Sequence, residues 1–478
     1  MPSSRVLENV RVQFANSSAV PAVFRKREVR QTRVAVFDKS KLSGRDEIMA
    51  SADGHPIWIA RADDSGRRQM CAVSLEGIEN LRLPFRSLSP DIFVQLLPMI
   101  HFIRRGTGES RWSEPPLRAS IILDDPNLHC ASFGWINFRE LAQHAGLHNY
   151  HVAIATVPLD SWYESKQAVR LFADNQARLS LLIHGNDHIR QELASFSSDD
   201  QRLGSMAQAL RRISRLEART SLAVSRVMTA PHEVCSEETL RVMARLGFEA
   251  ACITLGTLHK YNSDKSWARS FSLGMSEWVA GLPVIPRFEV RCEIQNAVLL
   301  AAYLGQPIIP VSHHQELAGG LDLLEDLANF INSLGPIRWM DLKGIARSNY
   351  RTRTEGSLLL VQSYARVLHL RIPPGVTQAS IHRPTAAEAM EEGICIRTPG
   401  QADRVFPHYV GEPFPVPPGT DLEVTSFLQN QIDPNTVREP KSRIWPFARR
   451  ILTEGRDRLS PFAYRLTGKV RRNGGEKT

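Results

Sequence analysis

The chain has 478 residues, 42% of them hydrophobic and 23% charged, the composition of an ordinary globular protein with room for two or three domains. It holds no run of 18 or more apolar residues, which excludes a membrane-spanning helix. The net charge of +9 is uneven: residues 438–478 carry 12 Lys or Arg against 4 Asp or Glu, a local +8, which leaves the other 437 residues at +1 and without a nucleic-acid footprint. The first ten residues lack the apolar stretch of a secretory signal, and the six cysteines form no C-x-x-C pair. Reduced thiols and a cytoplasmic location are the expectation.

Residues 1–110 alternate short β-like segments with polar turns, then run into an amphipathic stretch at 91–103. This region reads as an N-terminal accessory domain, β-rich or mixed, and 109–116, with Trp112 and a Pro-Pro pair, reads as a linker. From 115 to 350 strands and helices alternate, which predicts parallel βα units. Strands are expected over 119–123, 151–157, 179–183, 222–229, 249–254, 283–288 and 307–311. Helices are expected over 137–146, 203–219, 236–246, 291–304 and 321–334.

Two of these strands end abruptly in polar clusters. The first reads Ile-Ile-Leu-Asp124-Asp125-Pro126-Asn127, the second Leu-Leu-Ile-His184-Gly185-Asn186-Asp187-His188. Short apolar runs bounded by turn formers suit buried parallel strands, and catalytic groups sit on the loops after the C-terminal ends of such strands. Two imidazoles and a carboxylate, with a position open for water, make a Zn²⁺-type site. The spacing puts His184 at a strand end and His188 in the first turn of a following helix, with Gly185 allowing the sharp turn. Asp125 supplies the carboxylate in this reading, and Asp124 is free to act as a general base. A second such pair, His144 and His148, ends a helix at the opposite mouth of the strands, where residues serve stability.

Two later strand ends carry further candidates. Thr229-Ala-Pro231-His232-Glu233 offers His232 and Glu233 either as substrate or metal-shell contacts or as helix N-caps. Ser312-His313-His314 offers two histidines, of which side-chain alternation sends one inward.

The Asp-Asp and His-x-x-x-His clusters resemble the motifs of the polysaccharide deacetylases (carbohydrate esterase family 4, the NodB homology domain). The resemblance implies an α/β fold, an incomplete (β/α)7 barrel of the glycoside hydrolase/deacetylase type, here with flanking β-rich accessory regions. It implies Asp124 as base, Asp125, His184 and His188 as metal ligands, and His313 or His314 as acid. This chain departs from the family pattern at Gly185, where Ser or Thr is usual. It departs again at Thr229 and His232, where the family has an arginine and an aromatic residue around Pro231. Arg226 is the expected substitute for that arginine; Asn127, Arg226, His232 and Glu233 complete the expected surroundings. The implied cofactor is a divalent metal, zinc first, with Ni²⁺, Co²⁺ or Fe²⁺ also suited. The implied activity removes N-acetyl groups from an amino-sugar-containing oligo- or polysaccharide. Two other readings stand beside it: a non-catalytic glycan-binding or assembly protein on the same barrel, and a metal-dependent amidase with a non-sugar substrate.

Residues 355–430 alternate apolar and polar positions between Pro-rich connections and read as a β-sandwich. Residues 438–478 form a basic tail with interspersed aromatics. It is read either as a solvated tail or as a surface helix touching anionic lipid or an acidic partner, which would place the protein at the inner face of a membrane.

Overall fold

The computed structural model describes residues 4–63, 66–72, 88–106, 112–263, 273–291, 293–383, 392–407, 411–440 and 444–467. The chain divides into two compact units, one of Met1–Glu114, Ser266–Gly274 and Arg291–Gln306, the other of Pro115–Lys265, Met275–Val290 and Pro307–Thr478.

In the first unit, strands β1 to β5 (Ser4–Phe14, Glu28–Phe37, Asp46–Ala52, His55–Asp63, Gly66–Cys71) form an antiparallel sheet ordered β2-β1-β3-β4-β5. Alternation along β1 buries Val10, Val12 and Phe14, and Phe24 stacks between Phe14 and Phe93. Helix α1 (Leu97–Gly106) follows. The helix expected over 291–304 forms as Ile294–Leu304 (α7) and belongs to this unit: Tyr303 packs 5.5 Å from Phe24, and Asn296 donates to the Arg30 carbonyl.

The second unit is built on a nine-stranded sheet. The seven expected strands appear as β7 (Ile121–Asp124), β10 (Val152–Thr156), β11 (Leu179–His184), β12 (Val224–Thr229), β13 (Ala250–Ile253), β15 (Leu282–Pro286) and β17 (Pro310–His313). Two short edge strands, β14 (Glu277–Val279) and β16 (Phe288–Glu289), complete the order β14-β15-β13-β12-β11-β10-β7-β17-β16. The seven-strand count is therefore corrected to nine. The additions are too short to show a period: β14 is antiparallel to β15 across Ala280 and Gly281, both at positive φ as a primed hairpin turn requires. All other pairings are parallel, and every residue of β7, β10 and β13 is buried.

Helices α2 (Phe138–Leu147), α3 (Lys166–Asp174), α4 (Asp199–Thr220), α5 (Glu237–Arg245), α6 (Leu255–Tyr261), α8 (Asp322–Asn332) and α9 (Leu342–Arg347) connect the strands. Small sheets pair β6 (Leu117–Ala119) with β18 (Ile337–Trp339) and β8 (Ser132–Phe133) with β9 (Ile136–Asn137). Beyond residue 350, strands Tyr350–Glu355, Leu358–Ser363, Val367–Arg371, Gln378–His382, Glu392–Arg397, Arg404–Phe406, Phe414–Pro415 and Asp421–Leu428 (β19 to β26) make two four-stranded sheets. A single core, with Val361, Ile381, Ile396 and Val424 in it, lies between them. Within the basic tail, Ile444–Thr467 is a helix, α10, rather than a solvated coil. No helix among the described residues is long and apolar enough to cross a membrane.

Candidate active site

Strand β7 ends on the aspartate pair, and its neighbours fix what faces it. In register, Asp124 lies beside Ala155 of β10 and His313 of β17. Asp125 leaves the strand at φ 86°, a left-handed conformation that non-glycine residues rarely adopt, and the two carboxyls diverge. Asp125 Oδ1 lies 3.0 Å from His188 Nε2 and 4.0 Å from His184 Nε2. The three ligand atoms all lie within 4.8 Å of one another. One carboxylate and two imidazoles so gathered fit a first-row divalent ion, zinc among them.

The histidine loop is held by buried polar groups. His184 Nδ1 lies 2.9 Å from Thr229 Oγ1, whose hydroxyl donates to the Ile183 carbonyl. Thr229 Oγ1 thus accepts from His184 Nδ1–H, which assigns the tautomer with Nε2 free as ligand. His188 does not begin a helix, contrary to expectation: it sits in a loop at φ 53°, and α4 starts only at Asp199. What shapes this loop is Glu192, whose carboxylate accepts from the backbone N–H groups of Asn186, Asp187 and His188 at 2.9–3.1 Å. Burial and the neighbouring Asp187 push Glu192 up to about 7 against the pull of these donors. Burial also outweighs the attraction of Asp125 on His188 and lowers it to about 3, so its imidazole is neutral, the form that binds metal.

Gly185, at φ 63°, turns the chain between the two histidines. A Cβ there would stand 2.5 Å from Pro231 Cγ and 2.7 Å from Glu192 Oε2. Gly185→Ala is therefore expected to cost on the order of 1–3 kcal/mol from the backbone conformation alone, with the clash in addition. It should also weaken metal binding by displacing His188. Thermal denaturation and metal titration check this; unchanged metal affinity would refute the role given to the turn.

Asp124 has a different setting. Arg287, just past β15, donates to both of its oxygens at 3.2 and 3.0 Å and also contacts Glu233 at 2.5 Å; all of this is buried or nearly so. Glu233 in turn accepts from Thr254 N–H. Burial would raise the Asp124 carboxyl, but Arg287, with His184 and His313, holds it below the usual carboxylate range. The expected partner, Arg226, is not there. Its guanidinium pairs with Glu217 of α4 at 2.6 Å, because alternation along β12 turns it toward the helices. His232 and Glu233 both have positive φ, and the His232 ring lies 5.4 Å from that of His188.

The two candidate acids separate. His313 is half exposed, and although desolvation opposes it, Asp124, Asp125 and Glu316 raise its pKa above the ordinary value. His314 is buried edge-on against Phe133, with Nε2 3.7 Å from Asp457, and neither ring nitrogen has a hydrogen bond among the described residues.

Helix α10 lies over this end of the sheet. Arg450, buried, reaches Asp125 Oδ1 at 3.5 Å and pairs with Asp160 at 2.5 Å, just after β10. Arg449 donates to the His188 carbonyl, and Glu454 meets His129 at 2.9 Å. Arg458 donates to the Ser132 carbonyl and to Asn127 Oδ1, so Asn127, which also donates to Asp160, is engaged by the helix. Sequence reasoning missed Arg287, Glu192, Asp160 and Arg450. Arg287 alone had a signal, as a charge at the end of a predicted strand. At the opposite mouth, His144 and His148 do meet a carboxylate, Glu325 of α8, with His148 Nε2 at 3.5 Å from it.

No family profile and no curated protein matches the chain. Solved structures similar to part of it include a protein from Mycobacterium smegmatis assigned as a polysaccharide deacetylase (13% identity, TM-score 0.36, 50% of this chain and 92% of that one). Another is a family 4 carbohydrate esterase from Streptomyces lividans in complex with acetate (11%, 0.30, 48% and 93%). A third is a pseudoenzyme of that family from Bacillus anthracis (11%, 0.29, 49% and 66%). Each of these likenesses covers about half of this chain, at 11–13% identity.

Proposed function

We propose that the protein is a metal-dependent hydrolase that removes N-acetyl groups from an amino-sugar-containing oligo- or polysaccharide. The observation that carries this reading is the split of the Asp-Asp pair. Asp125 turns to two histidines, while Asp124 is held ionised by Arg287 beside them. A divalent ion on Asp125, His184 and His188, zinc best suited, would lower the pKa of a water and polarise an acetamido carbonyl. Asp124 takes the proton of the attacking water, and Arg287, itself anchored by Glu233, keeps that carboxylate in place. His313, whose pKa the two aspartates raise, gives a proton to the leaving amine; His314 lies too deep against Phe133 for that work. His232, its ring 5.4 Å from that of His188, is assigned as a substrate contact in this reading.

Metal analysis followed by acetate release from N-acetylated oligosaccharides tests the proposal. The wild type is expected to carry about one divalent ion and release acetate, and His184→Ala to do neither. Metal-loaded protein that cleaves a simple amide but no N-acetylated sugar would point to an amidase with a non-sugar substrate. A second reading, a non-catalytic glycan-binding protein, is favoured by one observation: Arg450 already occupies a cation's place beside Asp125. It requires glycan binding with no acetate released, whatever metal is supplied.

A further inference from the structure

Helix α10 is amphipathic in the opposite sense to an ordinary surface helix. Its charged side faces inward, with Arg450 and Asp457 buried against Asp125, Asp160 and His314. The side turned to solvent is apolar: Ile444, Trp445, Ile451, Leu452, Leu459 and Phe462 are all between 48 and 83% exposed. Their spacing puts them on one face of a 3.6-residue helix. Beside this face stand Trp162 and Tyr163, each about half exposed, with the Trp162 ring 6.1 Å from Phe447. A contiguous apolar surface of this kind marks a place where something docks.

Charge decides what. Arg456 flanks the face, and the sequence adds Lys441 and Arg443 before the helix and Lys469, Arg471 and Arg472 after it. A second copy of this chain, meeting the same face in a two-fold contact, would set Arg456 and the basic residues that flank the helix in sequence against their own copies. An anionic bilayer attracts the same charges. It also accepts Trp, Tyr and Phe at the headgroup level, with aliphatic side chains just below. The five charged residues between Arg450 and Arg458 exclude a spanning orientation and suit a helix lying in the plane of the interface.

We propose that the outward face of α10, together with Trp162 and Tyr163, docks on the surface of an anionic lipid bilayer. This stands independently of any activity. Because Arg450 on the inner side of the same helix touches Asp125, lipid contact acts on the element that covers the candidate site.

Co-sedimentation with vesicles tests it, using 3:1 phosphatidylcholine:phosphatidylglycerol beside pure phosphatidylcholine. Wild-type protein is expected to sediment with the anionic vesicles at least tenfold more strongly than with the neutral ones, and to be released by 0.5 M salt. The combined variant Trp445→Ser, Leu452→Ser and Phe462→Ser, all at exposed positions, should keep its circular dichroism spectrum and lose at least tenfold in binding. Should it misfold, the single Leu452→Ser and Phe462→Ser variants carry the same test with smaller losses. Undiminished binding by the folded variants, or no wild-type binding to anionic vesicles, overturns the proposal. So does a wild-type dimer that the combined variant abolishes while neither protein binds vesicles, which would assign the face to a second copy.

Discussion

Asp124→Asn protein is expected to retain its metal and lose turnover, while Asp125→Asn protein loses metal and with it whatever activity remains. The two residues are adjacent and chemically alike, but their surroundings differ. A ligand to a divalent ion must be anionic and close, and Asp125 is the carboxylate within reach of both histidines. A base need only reach a water's proton; in the proposed reading that base is Asp124, to both of whose oxygens Arg287 donates. Removing a general base costs on the order of 10² to 10⁴ in rate. Asp124→Asn also leaves Arg287 with Glu233 as its remaining anionic partner, so a stability loss of about 1–3 kcal/mol should accompany it. Metal content, thermal denaturation and acetate release on both variants decide the matter. If Asp124→Asn empties the site and Asp125→Asn does not, the roles are reversed and the resemblance misassigns them.

The second large effect concerns Arg450. Its guanidinium reaches Asp125 at 3.5 Å and pairs with buried Asp160. Arg450→Ala removes the arginine partner of both carboxylates, leaving Asp125 with His188 and Asp160 with Asn127, and breaking a buried pair from one side typically costs on the order of 3–5 kcal/mol. The same change removes a positive charge from beside the ligand set. Metal affinity should therefore rise at least tenfold, about 1.4 kcal/mol. The distinguishing result is a variant less stable than wild type without metal but stabilised more by added Zn²⁺, read by thermal denaturation across a metal titration. Equal metal affinity in the two proteins would show that Arg450 does not compete with an ion. If the hydrolase reading is right, removing residues from Ile444 onward should raise acetate release, since α10 lies across the site; the glycan-binding reading requires that it stay at zero.

Local chemistry made much of this legible. The run Ile-Ile-Leu before Asp124 and the run Leu-Leu-Ile before His184 each demanded a strand buried on both faces. Turn formers after each demanded a loop at the strand end. Those two facts alone put both clusters at one mouth of a parallel sheet. The sequence also placed +8 in the last 41 residues and aromatic residues among the charges. What it could not specify were pairings between distant positions. Whether Arg226 or Arg287 serves Asp124 depends on which face of its own strand each occupies, and that is set by the register of β12 and β15 against their neighbours. His188 falls outside a helix because Glu192, four residues on, captures three successive N–H groups, a local contest that periodicity does not register. The choice between His313 and His314 rests on β17 lying beside β7, which brings His313 alongside Asp124. Above all, a basic helix far along the chain read as a tail because its partners, Asp125 and Asp160, lie some three hundred residues earlier. Only tertiary structure brings those charges together, and burial, by stripping away their water, makes each such pairing decisive.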